Sequence, residues 1–291
     1  MAHNESAGKG RDELFIDVFD NCLDQVSEAR IKSAVDSLND TLDNLVMYVV
    51  DQGDQLADKH SHLVRSCAHR EHSDTILLHS LARQDLTPEN RGLLLDVVLH
   101  DKLLCELFRV FFAGDVGPLS FDPHGCLQAV IDEMTGREPW AVVQRWRAIT
   151  ATSIYKTHDK PRLPDCRSYA DDIIALLAWA HGLSPAEYEP MLDMVQSRVM
   201  TLCQEAKELS IQLRRDILSV RMSVISMTAA IFDPELADSV WPEMGATLGD
   251  EVVGKYKFGL IKVDESRRVS YLIKPEVATT ALIRETSKHV T

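Results

Sequence analysis

A chain of 291 residues, 45% hydrophobic and 26% charged, can bury a substantial core and suits one large domain, or one domain with an appendage. Its net charge of −14 argues against the basic surface that phosphate contacts require, so nucleic acid is not an expected partner. Much of that charge is local, with twelve acidic residues between Asp12 and Asp58 against Arg30 and Lys32. Such a stretch reads as a solvated helix face or as an acidic docking surface for a basic partner.

Residues 1–11 are polar and read as a disordered N-terminus. "DELFIDVFDNCLDQ" then predicts a short amphipathic helix. From there Ile31, Val35, Leu38, Leu42, Leu45 and Val49 recur at intervals of 4, 3, 4, 3 and 4, an a/d seam with Ser27 as its N-cap. A seam this short fits an antiparallel bundle helix, or a dimer contact. Helical periodicity is weaker over 55–68 and 75–85. "TPEN" (87–90) opens a strong helix, with Thr87 capping, Pro88 in the first turn and Glu89 favouring the N-terminus. Its body, "RGLLLDVVLHDKLLCELFRVFFAG", is apolar on most sides and predicts a central buried helix ended by Gly114.

A turn-rich loop follows at 114–125, then helices at about 125–135, 139–155 and 168–181. The basic, proline-containing connector 156–167 is the best internal boundary. "SPAE" (184–187) is a capping box, and the helix it opens, to about 218, carries a second seam: Leu192, Val195, Val199, Leu202, Ala206, Leu209 and Leu213. From 219 the period falls towards two. "SVRMSVISM" predicts a strand, and "EVVGKYKFGLIKV", a "DESR" turn and "RVSYLIKPEV" a hairpin. Between helix and hairpin, "IFDPELADSVWP" is a junction in which Phe232 and Trp241 are expected to seal the β-unit onto the end of the long helix.

The expected fold is therefore mostly α: a multi-helix bundle over 12–218 with two heptad-patterned helices, and a small C-terminal antiparallel β-unit over 219–291.

Catalytic motifs do not stand out. Five of the eleven histidines lie between His60 and His79, and His69 and His72 are spaced i, i+3 in "AHREH" with Cys67 close by. A zinc site needs three or four converging ligands, and no HExxH or paired CxxC organises these. His69 and His72 are the metal candidates; unpatterned histidines on a polar helix surface are the simpler reading. There is no GxSxG elbow, P-loop or GxGxxG cradle. Asp171 and Asp172 precede an apolar helix, where carboxylates complement the dipole. In "RWR" (145–147), Trp146 shares a face with Trp140 and Val143, and Arg145 or Arg147 is expected to pair with an acid of a neighbouring helix. Six single cysteines and no signal-peptide pattern imply reduced thiols, and "IIALLAWA" (173–180) is too short to span a bilayer. The expected location is the cytoplasm, with the nucleus as an alternative.

Three stretches together, "ARIKSAVDSLNDTLDNLVMYVVDQ", "PWAVVQRWRAITATSIY" and "FDPELADSV…KFGLIKV…YLIKPEVATTAL", resemble a family of fungal proteins, mainly basidiomycete, whose function is unknown. The tail, about 231–283, is also similar to the β-wing head of GrpE-type nucleotide exchange factors, which wedges into an Hsp70 ATPase domain. Phe232, Asp233 and Pro234 match that family's turn, and Gly254, Gly259, Lys274, Pro275 and Val277 are compatible with its hairpin and closing strand. The match departs where "TAAI" replaces the glycine before the turn, and where Glu276 stands in place of a small apolar residue. The sequence does not identify a partner-binding site; Lys257, Lys274 and Pro275 of the tail are the candidate residues.

The functional expectation is a non-enzymatic protein-interaction or scaffold module with a protein partner and no cofactor, able to form a homodimer through its heptad helices. The alternatives are a GrpE-like cochaperone acting through the tail, and a metal-dependent hydrolase built on His60–His79.

Overall fold

The two heptad seams meet each other. In a computed structural model that describes residues 24–59, 75–83, 85–113, 126–157 and 166–288, helix α1 (Glu28–Lys59) packs along α7 (Glu189–Arg215). All six α1 seam residues are at most 1% exposed, and Val195, Val199, Leu202 and Ala206 opposite them are equally buried. The helices run antiparallel: Thr41 donates to Glu205 (2.9 Å), the Arg198 guanidinium lies 4.4 Å over the Tyr48 ring, and the Gln25 amide donates to the Asp216 carbonyl. Burying a single Leu or Ile this fully contributes about 1.5–3 kcal/mol, so the seams alone account for much of the bundle's cohesion. Both seams are thereby satisfied within one chain. Ser27 caps α1 through the Arg30 amide, as its position implies.

Six further α-helices complete the set among the described residues. They are α2 (Ile76–Leu81), α3 (Pro88–Leu107), α4 (Cys126–Arg137), α5 (Trp140–Thr157), α6 (Cys166–His181) and α8 (Thr280–Lys288). Thr87 accepts from the Asn90 amide and caps α3. At its other end α3 loosens into a π-turn, Phe108–Phe112, before Gly114 is reached. The Phe111 carbonyl freed there accepts from Ser210 and Arg214 of α7, both at 2.8 Å. A buried carbonyl is thus satisfied by side chains in place of the helix ladder. "SPAE" forms a 3₁₀ turn, Pro185–Tyr188, capped by Ser184, and α7 begins one turn later than the sequence implies.

The C-terminal residues form two three-stranded sheets. Strands β1 (Arg221–Ile225), β4 (Gly259–Val263) and β5 (Val269–Ile273) make one antiparallel sheet, with β4 central. In the other, β6 (Glu276–Thr279) lies between β3 (Val252–Lys257), antiparallel to it, and the two-residue β2 (Asp238–Ser239), parallel to it. The predicted hairpin exists, but both of its arms break. One breaks at Phe258 and the other at Lys274–Pro275, so its tip belongs to the first sheet and its base to the second. Register shifts flank the break, between Lys255 and Lys257 and between Leu260 and Ile261. Only glycine fits at 259, because an added Cβ would lie 2.7 Å from both the nitrogen and Cδ of Pro275 and 2.8 Å from the Ile273 carbonyl oxygen.

This β-unit is packed into the bundle. Strand β3 lies on α3, with Gly254 letting the two backbones approach: a Cβ there would meet Val97 Cγ1 at 2.6 Å. Met222, Val224, Phe258, Leu260, Ala278 and Leu282 belong to the same hydrophobic cluster as the helical seams. The change of secondary structure near 219 is therefore crossed by one continuous core. β6 shows the strand alternation directly, since Ala278 faces that core while Val277 joins a smaller cluster with Met227, Phe232 and Ala237. Phe232 seals this satellite and not the end of the long helix, whereas Trp241 packs edge-on against Tyr256 of β3 at 5.5 Å. The α4–α5 pair holds its own cluster, Ile131 and Val143 with Trp146 against it.

Candidate functional site

The break in the hairpin needs a partner for its backbone, and α1 supplies it. Asn39 lies beside the seam residue Leu38 and is 5% exposed. Its amide nitrogen donates to the Phe258 carbonyl (3.1 Å), and its oxygen accepts from the Phe258 amide (2.9 Å). A side-chain amide matches a peptide's donor–acceptor pair, so Asn39 stands in for the strand that is missing at the bend.

One turn along α1 and across to α3 lies a cluster of charges. His100, 1% exposed, places Nε2 3.1 Å from Asp43 Oδ1 and Nδ1 2.9 Å from the Asp96 carbonyl oxygen. Tyr256 of β3 stacks on the imidazole at 3.9 Å between centroids and donates its hydroxyl to Asp96 Oδ2 at 2.8 Å. Lys257 Nζ reaches Asp43 Oδ2 at 3.2 Å and Glu276 Oε2 at 3.6 Å. The next turn of α3 repeats the idea, with Asp101 accepting from the Lys255 amide at 2.9 Å. Four elements (α1, α3, β3 and β6) are thus joined by charge-assisted bonds at one place.

The titrations follow from these contacts. Burial pushes the Asp43 carboxyl up, but the His100 hydrogen bond and the Lys257 charge outweigh it and hold Asp43 below the ordinary carboxylate range. Burial also pushes Asp96 up, and there the attraction of His100 and the Tyr256 hydroxyl opposes the rise without reversing it. Tyr256 is pushed up by burial and by Asp96, so it stays a phenol and a donor. Burial lowers Lys257, while Asp43 and Glu276 more than compensate and leave it raised.

Beside this cluster a groove of ≈ 200 Å³ opens between α1 and the bend. Asp36 and Asp40 line its α1 wall, and Lys257, Lys274 and Glu276 line the other, with Phe258 and Ile273 between. The sequence-derived residues Lys257, Lys274 and Pro275 are therefore neighbours. Lys257 carries the pairs just described. Lys274 pairs with Asp238 at 3.7 Å and donates to the Pro234 carbonyl at 2.8 Å. Pro275 is buried against Gly259.

The metal candidates His69 and His72 lie outside the described residues, as do His60, His62 and Cys67, the disordered-N-terminus and first-helix expectations, the 114–125 loop and most of the 156–167 connector. His79, on α2, is exposed. Among the described residues no group of three His, Cys, Asp or Glu side chains could hold a metal ion, and no helix is long and apolar enough to cross a membrane. Asp171 and Asp172 are exposed, pairing with Arg167 and Lys102. Arg147 donates to the Ile217 carbonyl at 3.0 Å.

A second buried histidine meets α1 about three turns further along, near its C-terminal end. His181 places Nε2 3.0 Å from Asp54 Oδ1 and Nδ1 2.8 Å from the Tyr188 hydroxyl. Here too the polar groups are satisfied internally.

Sequence reasoning missed Asn39, Asp43, Asp96, His100 and Tyr256. A signal was present for His100: in "VVLHDKLL" it interrupts a run expected to be buried all round, so both ring nitrogens must find partners. Asn39 gave a weaker signal of the same kind, a polar residue flanking an apolar seam.

Compared with known proteins, the chain matches no family model, no curated protein and no solved structure.

Proposed function

We propose that the chain is a non-enzymatic protein-interaction module that receives a basic segment of a partner protein in the groove between α1 and the hairpin bend. The observation that carries this reading is the division of charge across the groove. Its two lysines are engaged with Asp43, Glu276 and Asp238, whereas Asp36 and Asp40, one helical turn apart on α1, are exposed to solvent. The same face of α1 continues with exposed Asp51 and Asp58. An extended Lys- or Arg-bearing segment would find complementary charge along this line. The buried histidines support the reading as well, because their ring nitrogens already face internal partners.

Fluorescence anisotropy tests it with a labelled Lys/Arg-rich peptide and a Glu-substituted counterpart. Binding of the basic peptide alone is expected. It should weaken roughly tenfold or more in Asp36→Lys/Asp40→Lys, and likewise on raising salt from about 0.05 to about 0.3 M, where screening shortens the reach of surface charge. Equal binding of both peptides, or no effect of charge reversal in a variant with unchanged circular dichroism, overturns the proposal.

The exposed Ile231 (48%), Leu236 (37%) and Leu248 (73%) around the Phe232 turn favour a second reading, an exchange factor acting through the tail. Release of a fluorescent nucleotide from an Hsp70 distinguishes the two. Because Phe258 and Leu260 belong to the main core, that assay requires Leu248→Asp in the full chain and not removal of 231–291.

A further inference from the structure

We infer that His100 is a doubly protonated imidazolium, a buried positive charge that latches β3 onto α3 and releases its hold when one ring proton is lost. The inference comes from counting donors and acceptors. The Asp96 carbonyl oxygen, 2.9 Å from Nδ1, can only accept. Asp43 Oδ1, 3.1 Å from Nε2, belongs to a carboxylate whose other oxygen is paired with Lys257 Nζ at 3.2 Å, so it too is an acceptor. A neutral ring has one N–H and one lone pair. Either neutral tautomer would therefore aim a lone pair at an oxygen, in a site where the side chain is 1% exposed and solvent cannot relieve the repulsion. Only the cation satisfies both contacts.

The surroundings suit that charge. From α1 the ring meets Asp43, and from its own helix Asp96, whose Oδ1 is 3.6 Å from Nδ1. From β3 it meets the face of Tyr256, where the negative side of the aromatic quadrupole attracts a cation. Lys257 of β3 sits beyond Asp43, with Glu276 of β6 paired to it. Three carboxylates thus face two cations, and removing the imidazolium proton would leave Lys257 as the only positive charge in the set.

His181 shows that burial alone does not dictate this state. It is nearly as buried, and its Nε2 also faces a carboxylate, but its Nδ1 faces the Tyr188 hydroxyl, which can donate. A neutral ring with Nε2–H satisfies every contact there. The two histidines differ by one neighbour: a carbonyl, which cannot give a proton to a hydrogen bond, and a phenol, which can.

Long-range ¹H–¹⁵N spectra of the uniformly labelled full chain, assigned by triple resonance, test the inference. Near about pH 7, around which histidine charge states change, His100 is expected to show two protonated ring nitrogens, and His181 one protonated and one bare. As pH is raised, loss of the His100 proton should coincide with at least a tenfold fall in amide-exchange protection of Tyr256 and Phe258. In Asp43→Asn, whose side chain can donate to Nε2, His100 should show a neutral pattern at the same pH. A neutral His100 in the wild-type spectrum overturns the inference, and so does titration of His100 without any change at β3. If Asp43→Asn does not fold, the wild-type spectrum alone decides.

Discussion

Replacing Gly259 with alanine is expected to destabilise the whole chain by about 3 kcal/mol, the upper end for an overpacked site. Of the three atoms that the new methyl would meet at 2.7–2.8 Å, two are backbone and the third is a proline ring carbon, so none is the free end of a flexible side chain. Relief would require parting the strands where the hairpin changes sheet. Two other glycines calibrate the effect. At Gly254 the nearest atoms are Val97 Cγ1 (2.6 Å) and Leu77 Cδ1 (3.1 Å), side-chain ends that can shift, so Gly254→Ala should cost less. At Gly136, near the end of α4, no atom lies within 4 Å, and alanine should be neutral or stabilising by up to about 1 kcal/mol. Urea unfolding followed by circular dichroism gives the order directly. A Gly259→Ala cost no larger than that of Gly254→Ala would show that the bend is not the tight point described above.

Asn39→Leu should cost about 2–6 kcal/mol, because it leaves both the amide and the carbonyl of Phe258 buried without their side-chain partner, at roughly 1–3 kcal/mol each. The replacement is nearly isosteric and apolar, so the loss reports the hydrogen bonds and not a cavity. Asn39→Asp should also destabilise, since a carboxylate can accept from the Phe258 amide but repels its carbonyl. Hydrogen exchange at the Phe258 amide, which donates to Asn39 Oδ1, should accelerate in both variants before global unfolding contributes. Unchanged protection at Phe258 in Asn39→Leu would mean that the bend finds its partners elsewhere.

The helical part of this fold was legible because its signals are local. Seam spacing, Thr87 with Pro88, and Ser27 before Ile31 each act within a turn or two of helix, and each is found where the pattern places it. The β-unit was legible in kind but not in course. Alternation in "EVVGKYKFGLIKV" shows a strand, yet the break at Phe258 depends on Asn39, 219 positions away, and on the close approach of Pro275 to Gly259. Neither leaves a mark in the local period. The candidate site was mostly hidden for the same reason. Lys257, Lys274 and Pro275 could be picked out of the tail, but their neighbours Asp36, Asp40 and Asp43 belong to a helix that reads as a solvated acidic stripe. Only folding brings the stripe beside the bend. His100 was the exception that a stricter count of buried polar atoms would have caught.

The seating of β3 on α3 also sets a timetable. The Lys255 amide and Asp101 are partners 154 positions apart in sequence, and Val97 waits for Gly254 over a similar distance. At translation rates of roughly 5–20 residues per second, α3 leaves the ribosome on the order of ten seconds or more before the strand that covers it. Throughout that interval its β3-facing side has no cover from the strand that will occupy it. A helix with ten of its twenty residues buried is thus made well before the strand that closes over it, which makes the nascent protein a stronger client for holding chaperones than the finished one.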